Sequence, residues 1–131
     1  METKKIVLDQ EMINRMVGCL PVSNDFTVNF TPESTKELPE EFRPIFRLKP
    51  FNHSQIKSLG KIGNNDDAAL DALRKQILGW SNLYEINNNE AVEIEYVSDS
   101  QGNLDRSSVN KLSIRLSVEI LNELTRISGI K

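Results

Sequence analysis

Apolar residues recur along the chain with two periods, and each period predicts a different element. Met12, Ile13, Met16, Val17 and Leu20 share one helical face. Asp9 stands where an N-cap accepts from the free amides of the first turn. Leu8 and Ile13 have the spacing of a hydrophobic staple, and Gly18 or Pro21 ends the run. A short strand over Lys4–Leu8 is a competing but compatible reading. Phe26, Val28 and Phe30 alternate with polar residues, as in a half-buried strand. Within Phe42–Phe51, Phe46 and Leu48 fall on one face and Arg47 and Lys49 on the other. Pro44 and Pro50 donate no backbone hydrogen bond, so this strand is expected at a sheet edge or to be short.

Downstream, Asn52 or Ser54 caps a short helix that runs through Leu59 and closes at Gly60. After a polar connection, Leu70, Leu73, Ile77 and Leu78 follow the helical period. Asn65 or Asp66 is the cap, Arg74 and Lys75 suit the C-terminal half of the dipole, and Gly79 in left-handed conformation is the expected stop. Leu83–Ile86 and Ala91–Val97 flank Asn87-Asn88-Asn89. Asparagine tolerates positive φ, so this predicts a hairpin with Val92, Ile94 and Tyr96 inward and Glu93 and Glu95 outward. Ser98–Asp105 is a polar turn around Gly102. A last helix starts between Ser107 and Ser117, carries Leu116, Ile120, Leu121, Leu124 and Ile127 on one face, and ends at Gly129 and Ile130 in a Schellman arrangement. Together these predict an α+β fold: a small antiparallel sheet with three to four helices in one domain spanning residues 1–131. Residues 1–24 are read as an N-terminal helix or arm at its periphery, and residues 25–131 as the core.

Composition narrows the class. A length of 131 residues suits one core and needs neither metal nor disulfide. The 38% hydrophobic and 27% charged content matches soluble globular chains rather than disordered ones. No apolar run reaches membrane-span length, and Asp9 breaks Ile6-Val7-Leu8 too early for a signal peptide, so a cytoplasm, or something larger assembled there, is the expected location. Cys19 is the single cysteine and, between Val17-Gly18 and Leu20, is expected in the core. The net charge of −3 argues against nucleic acid. The charge is uneven, however. Arg43, Arg47, Lys49, Lys57 and Lys61 make the middle basic, whereas Glu85, Glu90, Glu93, Glu95, Asp99 and Asp105 make a later segment acidic.

Catalytic constellations are weak. His53 is the single histidine, and its neighbour Ser54 with Asp66 or Asp67 lacks any nucleophile-elbow pattern. Glu93 and Glu95 share a strand face, but Arg47 and Lys49 have matching spacing, so a cross-strand charge ladder is the expected use. Asp99–Asp105 lacks the spacing of a calcium loop, and Gly60-Lys61 lacks the glycine spacing of a phosphate loop. Phe42, Phe46 and Phe51 interleave with the basic residues, but two of them fall opposite the arginines and are expected in the core. Trp80 is expected as a core keystone, with an interface anchor as the competing role. No catalytic residue, metal ligand or cofactor site is assigned.

Three segments carry a resemblance: Phe42-Arg-Pro-Ile-Phe-Arg-Leu-Lys-Pro-Phe51, Leu73-Arg-Lys-Gln-Ile-Leu-Gly-Trp-Ser-Asn-Leu83 and Glu119-Ile-Leu-Asn-Glu-Leu-Thr-Arg-Ile-Ser-Gly-Ile130. From Phe42 onward the chain resembles small tailed-bacteriophage assembly proteins of the tail assembly chaperone type. Asn87-Asn88-Asn89 replaces the usual Asp-Gly turn, and Met1–Cys19 has no counterpart in the group. The resemblance implies a non-enzymatic morphogenesis protein whose partners are tape-measure, tail-tube or connector subunits, or further copies of itself, with no membrane. Alternatives are a connector or capsid-associated virion subunit, or a phage inhibitor of a host enzyme. The partner-binding candidates are Met12, Met16, Trp80, Leu121, Leu124 and Ile127, on the methionine-bearing N-terminal face, at the Trp junction and on the last helix.

Overall fold

Two small antiparallel sheets and four helices make up the described part of the chain, an α+β fold. The computed structural model describes residues 3–23, 25–52, 55 and 66–129. In chain order the elements are α1 (Gln10–Met16), β1 (Val28–Phe30), β2 (Ile45–Leu48), α2 (Asp66–Gln76), β3 (Ile77–Ser81), β4 (Tyr84–Asn87), β5 (Glu90–Glu93), α3 (Arg106–Val109) and α4 (Ile114–Ile127). His53, Ser54, Lys57, Lys61, Asn65 and Ile130 lie outside the described residues, and with them most of the helix expected up to Leu59 and the Gly60-Lys61 pair.

Capping chemistry sets the helix starts. The Asp9 carboxylate accepts from Met12 N at 2.8 Å, and Ser113 Oγ accepts from Leu116 N at 3.1 Å. Gly129 closes the last helix with φ +76°. Lys4–Leu8 forms no strand and is exposed. The polar segment after β1 makes two 3-10 turns, Glu33–Thr35 and Glu40–Phe42, and the first docks on α4. There Glu119 accepts from Ser34 N at 3.0 Å and from Ser34 Oγ at 2.7 Å.

The three-stranded sheet has the order β1-β2-β3, so β2 is central rather than at an edge. It is short because Pro44 and Pro50 bracket it, and neither sits where the ladder needs a donor. Phe46 and Leu48 are fully buried, with Arg47 exposed between them. One buried cluster joins these residues to Val17, Leu73, Ile77, Leu83, Ile94, Leu104, Ile120, Leu124 and Ile127.

The central helix stops at Gln76, not at Gly79, and passes without a loop into β3. Ile77 satisfies both periods: it lies four residues beyond Leu73 on a helix and opposite Leu48 in the sheet. Pairing with β2 decides the outcome, because glycine and β-branched residues propagate a helix poorly whereas tryptophan and isoleucine suit a strand. Gly79 has no positive φ, and a Cβ there would meet nothing within 4 Å. Among the described residues, no helix is long and apolar enough to cross a membrane.

Candidate functional site

The β4–β5 hairpin leaves the body directly after β3. Its ladder runs from Tyr84↔Glu93 to Asn87↔Glu90, and Asn88, at a φ of +55° that asparagine tolerates, makes the turn. The base is anchored. Trp80 Nε1 donates to Ile94 O at 2.8 Å, and the indole meets Tyr96 and Phe46 edge to face at 5.2 Å and 6.1 Å. Tyr84 packs edge to face on Phe42 at 5.2 Å, and Tyr96 Oη donates to Ile77 O at 2.7 Å. Burial pushes the Tyr96 phenol up, as does the charge of Asp99, against a smaller opposing effect of Arg47.

Beyond that base the hairpin projects. Ile86 is 88% exposed and Val92 43% exposed, while Leu83 and Ile94 at the root are buried. Val92 does share the face of Ile94, as the alternation requires, but it stands past the rim of the core and does not turn inward. Among the described residues the two strands pair only with each other, so both outer edges carry unpaired backbone groups. Glu90, Glu93 and Glu95 are exposed, and Glu85 approaches Lys111 at 3.8 Å. The expected ladder between Glu93/Glu95 and Arg47/Lys49 does not form, because β2 lies between β1 and β3, away from β5.

At the other end of β2 and β3 lies an open groove of about 1000 Å³. Residues 18–23, the stretch after β2, the junction of α2 with β3, Asn103 and the end of α4 line it. Gln76, fully buried, ties these parts together: its Nε2 donates to Lys49 O at 2.7 Å and to Pro50 O at 3.1 Å, and its Oε1 accepts from Gln55 at 2.9 Å. Phe51 N donates to Ser128 Oγ at 2.8 Å. The N-terminal wall is held by a backbone contact of two glycines. A Cβ on Gly18 would collide with Arg126 O, and one on Gly129 with Gly18 O. Cys19 lines this groove and is exposed, not in the core, because Gly18 with φ +89° turns the chain away from the body just before it. Among the described residues, Lys49 and Lys75 are the ionisable lining residues apart from Cys19, and no aspartate or glutamate lines the groove. Asp25, outside the lining and exposed, has its carboxyl held below the usual range by the Ser23 hydroxyl, by its own backbone and, more weakly, by Lys49.

The six residues expected to meet a partner divide. Met12 is 39% exposed, and Met16 and Leu121 are half-buried. Trp80 is half-buried in the seam between the sheets. Leu124 and Ile127 are not surface residues. They are 0% and 1% exposed, because the stripe they form on α4 is the face that closes the core. The outer face of α4 instead shows Ile114 and Val118. Ile86 was missed as a surface residue although it lies next to the asparagine turn, the one local sign that its strand had reached a tip. The groove had no such sign, since its walls come from five separate stretches of the chain.

Asp99 serves structure. Its carboxylate accepts from Gln101 N at 2.8 Å, Asn103 N at 3.1 Å and Arg74 Nη2 at 2.6 Å. Desolvation works to raise its pKa, but the two amides and Arg74 outweigh it and hold the carboxyl below its ordinary value. Among the described residues, no three His, Cys, Asp or Glu side chains converge as metal ligands. Comparison with protein-family models, curated proteins and solved structures gives no match.

Proposed function

We propose that this chain works through surfaces presented to other proteins, as a non-enzymatic component of bacteriophage morphogenesis in the manner of a tail assembly chaperone. The observation that carries the contact role is the projecting hairpin, where Ile86 and Val92 stand in solvent between two unpaired strand edges. Exposed strand edges bind extended segments of other chains by main-chain hydrogen bonds, and neighbouring apolar side chains add affinity. The bacteriophage part of the reading rests on the three resembling segments given above. It places the chain in the host cytoplasm during assembly, with tape-measure or tail-tube subunits as partners.

Co-expression with a bacteriophage tape-measure protein tests this reading. The tagged chain is expected to retain that protein on an affinity column, and Ile86→Asp to lose it while keeping its circular dichroism spectrum. Equal retention by the variant would discard the hairpin as the contact. Mass spectrometry of purified virions is expected to miss the chain. Finding it there in stoichiometric amount would replace the chaperone role with that of a retained connector or capsid-associated subunit.

A further inference from the structure

We propose that copies of this chain associate head to tail, the β4–β5 hairpin of one seating in the groove of the next. This rests on the reading above that the protein acts by protein contacts, and it names one partner: a second copy.

Position is the first argument. In the β2–β3 register, Ile45 faces Ser81 at one end and Leu48 faces Ile77 at the other. The hairpin begins three residues after Ser81, whereas the groove is lined by Lys49–Asn52 and by Gln76, which flank the opposite end. Four residue rises separate Ile77 from Ser81, roughly 13 Å of extended strand. The hairpin root is fixed by the Trp80–Ile94 hydrogen bond and the Phe42–Tyr84 contact. A hairpin so held points away from its own groove, but another molecule's hairpin can enter it.

Charge is the second argument. Glu90 and Glu93 on β5 and Glu95 just beyond it are exposed, and none forms an ion pair among the described residues. Among those residues the groove offers Lys49 and Lys75, neither in an ion pair, and no lining carboxylate. An acidic tip and a basic cleft on one molecule repel like ends and attract unlike ends, which fixes orientation and speeds encounter.

Apolar complementarity is the third. Ile86 and its cross-strand partner Ala91 lie on one face of the ribbon, both exposed. The groove presents Phe26, Phe51 and Leu78 beside its lysines. Burial of Ile86 against them supplies affinity, and the Glu–Lys contacts form the polar rim. Because the two surfaces differ, the interface is heterologous. It propagates into an open chain of copies, or closes into a ring where the rotation allows.

Sedimentation velocity over a concentration series tests this. The wild-type chain is expected to form species beyond a dimer as concentration rises, and fewer of them at high salt. Ile86→Asp, with an impaired hairpin, and Lys49→Glu/Lys75→Glu, with an impaired groove, are each expected to associate at least about tenfold more weakly. Glu90→Lys/Glu93→Lys is a second hairpin variant, and circular dichroism checks that all remain folded. Mixing a hairpin variant with the groove variant is expected to restore a one-to-one dimer, since each supplies the surface the other lacks. A wild-type chain that stays monomeric, an Ile86→Asp chain that associates like wild type, or a mixture without dimer would each overturn the proposal. A monomer that still retains the tape-measure protein would overturn self-association and leave the proposed function standing. Self-association without that partner would do the reverse.

Discussion

The two ends of the three-stranded sheet are built in opposite ways. At the hairpin end, contacts are near in sequence: β4 pairs with β5 across a two-residue turn, and Trp80 reaches Ile94 only 14 positions on. At the groove end, contacts span most of the chain. Arg126 meets Asn14 across 112 positions, and Phe51 bonds Ser128 across 77. The hairpin end is held by its own ladder and by an anchored base at Trp80 and Tyr84, and beyond that base it projects into solvent. The groove end exists only when remote segments are already in place, so its shape reports on the integrity of the whole fold.

The sharpest test of this contrast replaces one isoleucine at each end. Ile127→Ala removes a side chain that is both core and groove floor and is expected to cost about 2–5 kcal/mol. Ile86→Ala at the exposed tip is expected to change stability by no more than about 0.5 kcal/mol. Urea unfolding of the two variants measures both, and equal losses would break the comparison. Glycines give the next largest difference. Gly129→Ala combines positive φ with a collision against Gly18 O, and is expected to cost about 1–3 kcal/mol while opening Gln10–Val17 to limited proteolysis. Gly79→Ala meets open space at negative φ and should stay within about 0.5 kcal/mol of wild type.

At the hairpin turn, Asn88→Val places a β-branched residue at φ +55° and is expected to cost about 1–2 kcal/mol, whereas Asn88→Gly should be tolerated. The loss should leave hydrogen exchange of the groove-end amides unchanged, which separates local from global opening. The smallest effect is electrostatic. Asp99 has a folded-state pKa below its unfolded value, so its contribution is present above about pH 4 and is lost as pH falls through the folded pKa. The stability gap between wild type and Asp99→Asn is therefore expected to narrow on acidification from about pH 7 to about pH 3. A gap that widens instead would show that the carboxylate is not the stabilising form.

Much of the fold was legible because its causes are local. Asp9 and Ser113 cap helices through amides three residues away. Phe46 and Leu48 alternate with exposed Arg47, and asparagine marks the hairpin turn. The candidate surfaces were less legible. The same periodicity that revealed Leu124 and Ile127 could not say whether their stripe faced a partner or the chain's own core. An apolar face on a helix looks identical in either case.

Sequence by itself determined the α+β class, most element positions, the acidic hairpin and the terminal helix, since each follows from interactions within a few residues or across one turn. Tertiary structure alone decided that Ile77–Ser81 leaves the helix to pair with β2, that Cys19 faces solvent, and that Gly18 meets Gly129. It also made the groove. These outcomes depend on which distant backbone comes close enough to bond or collide, and that distance is not encoded in any local pattern of side chains.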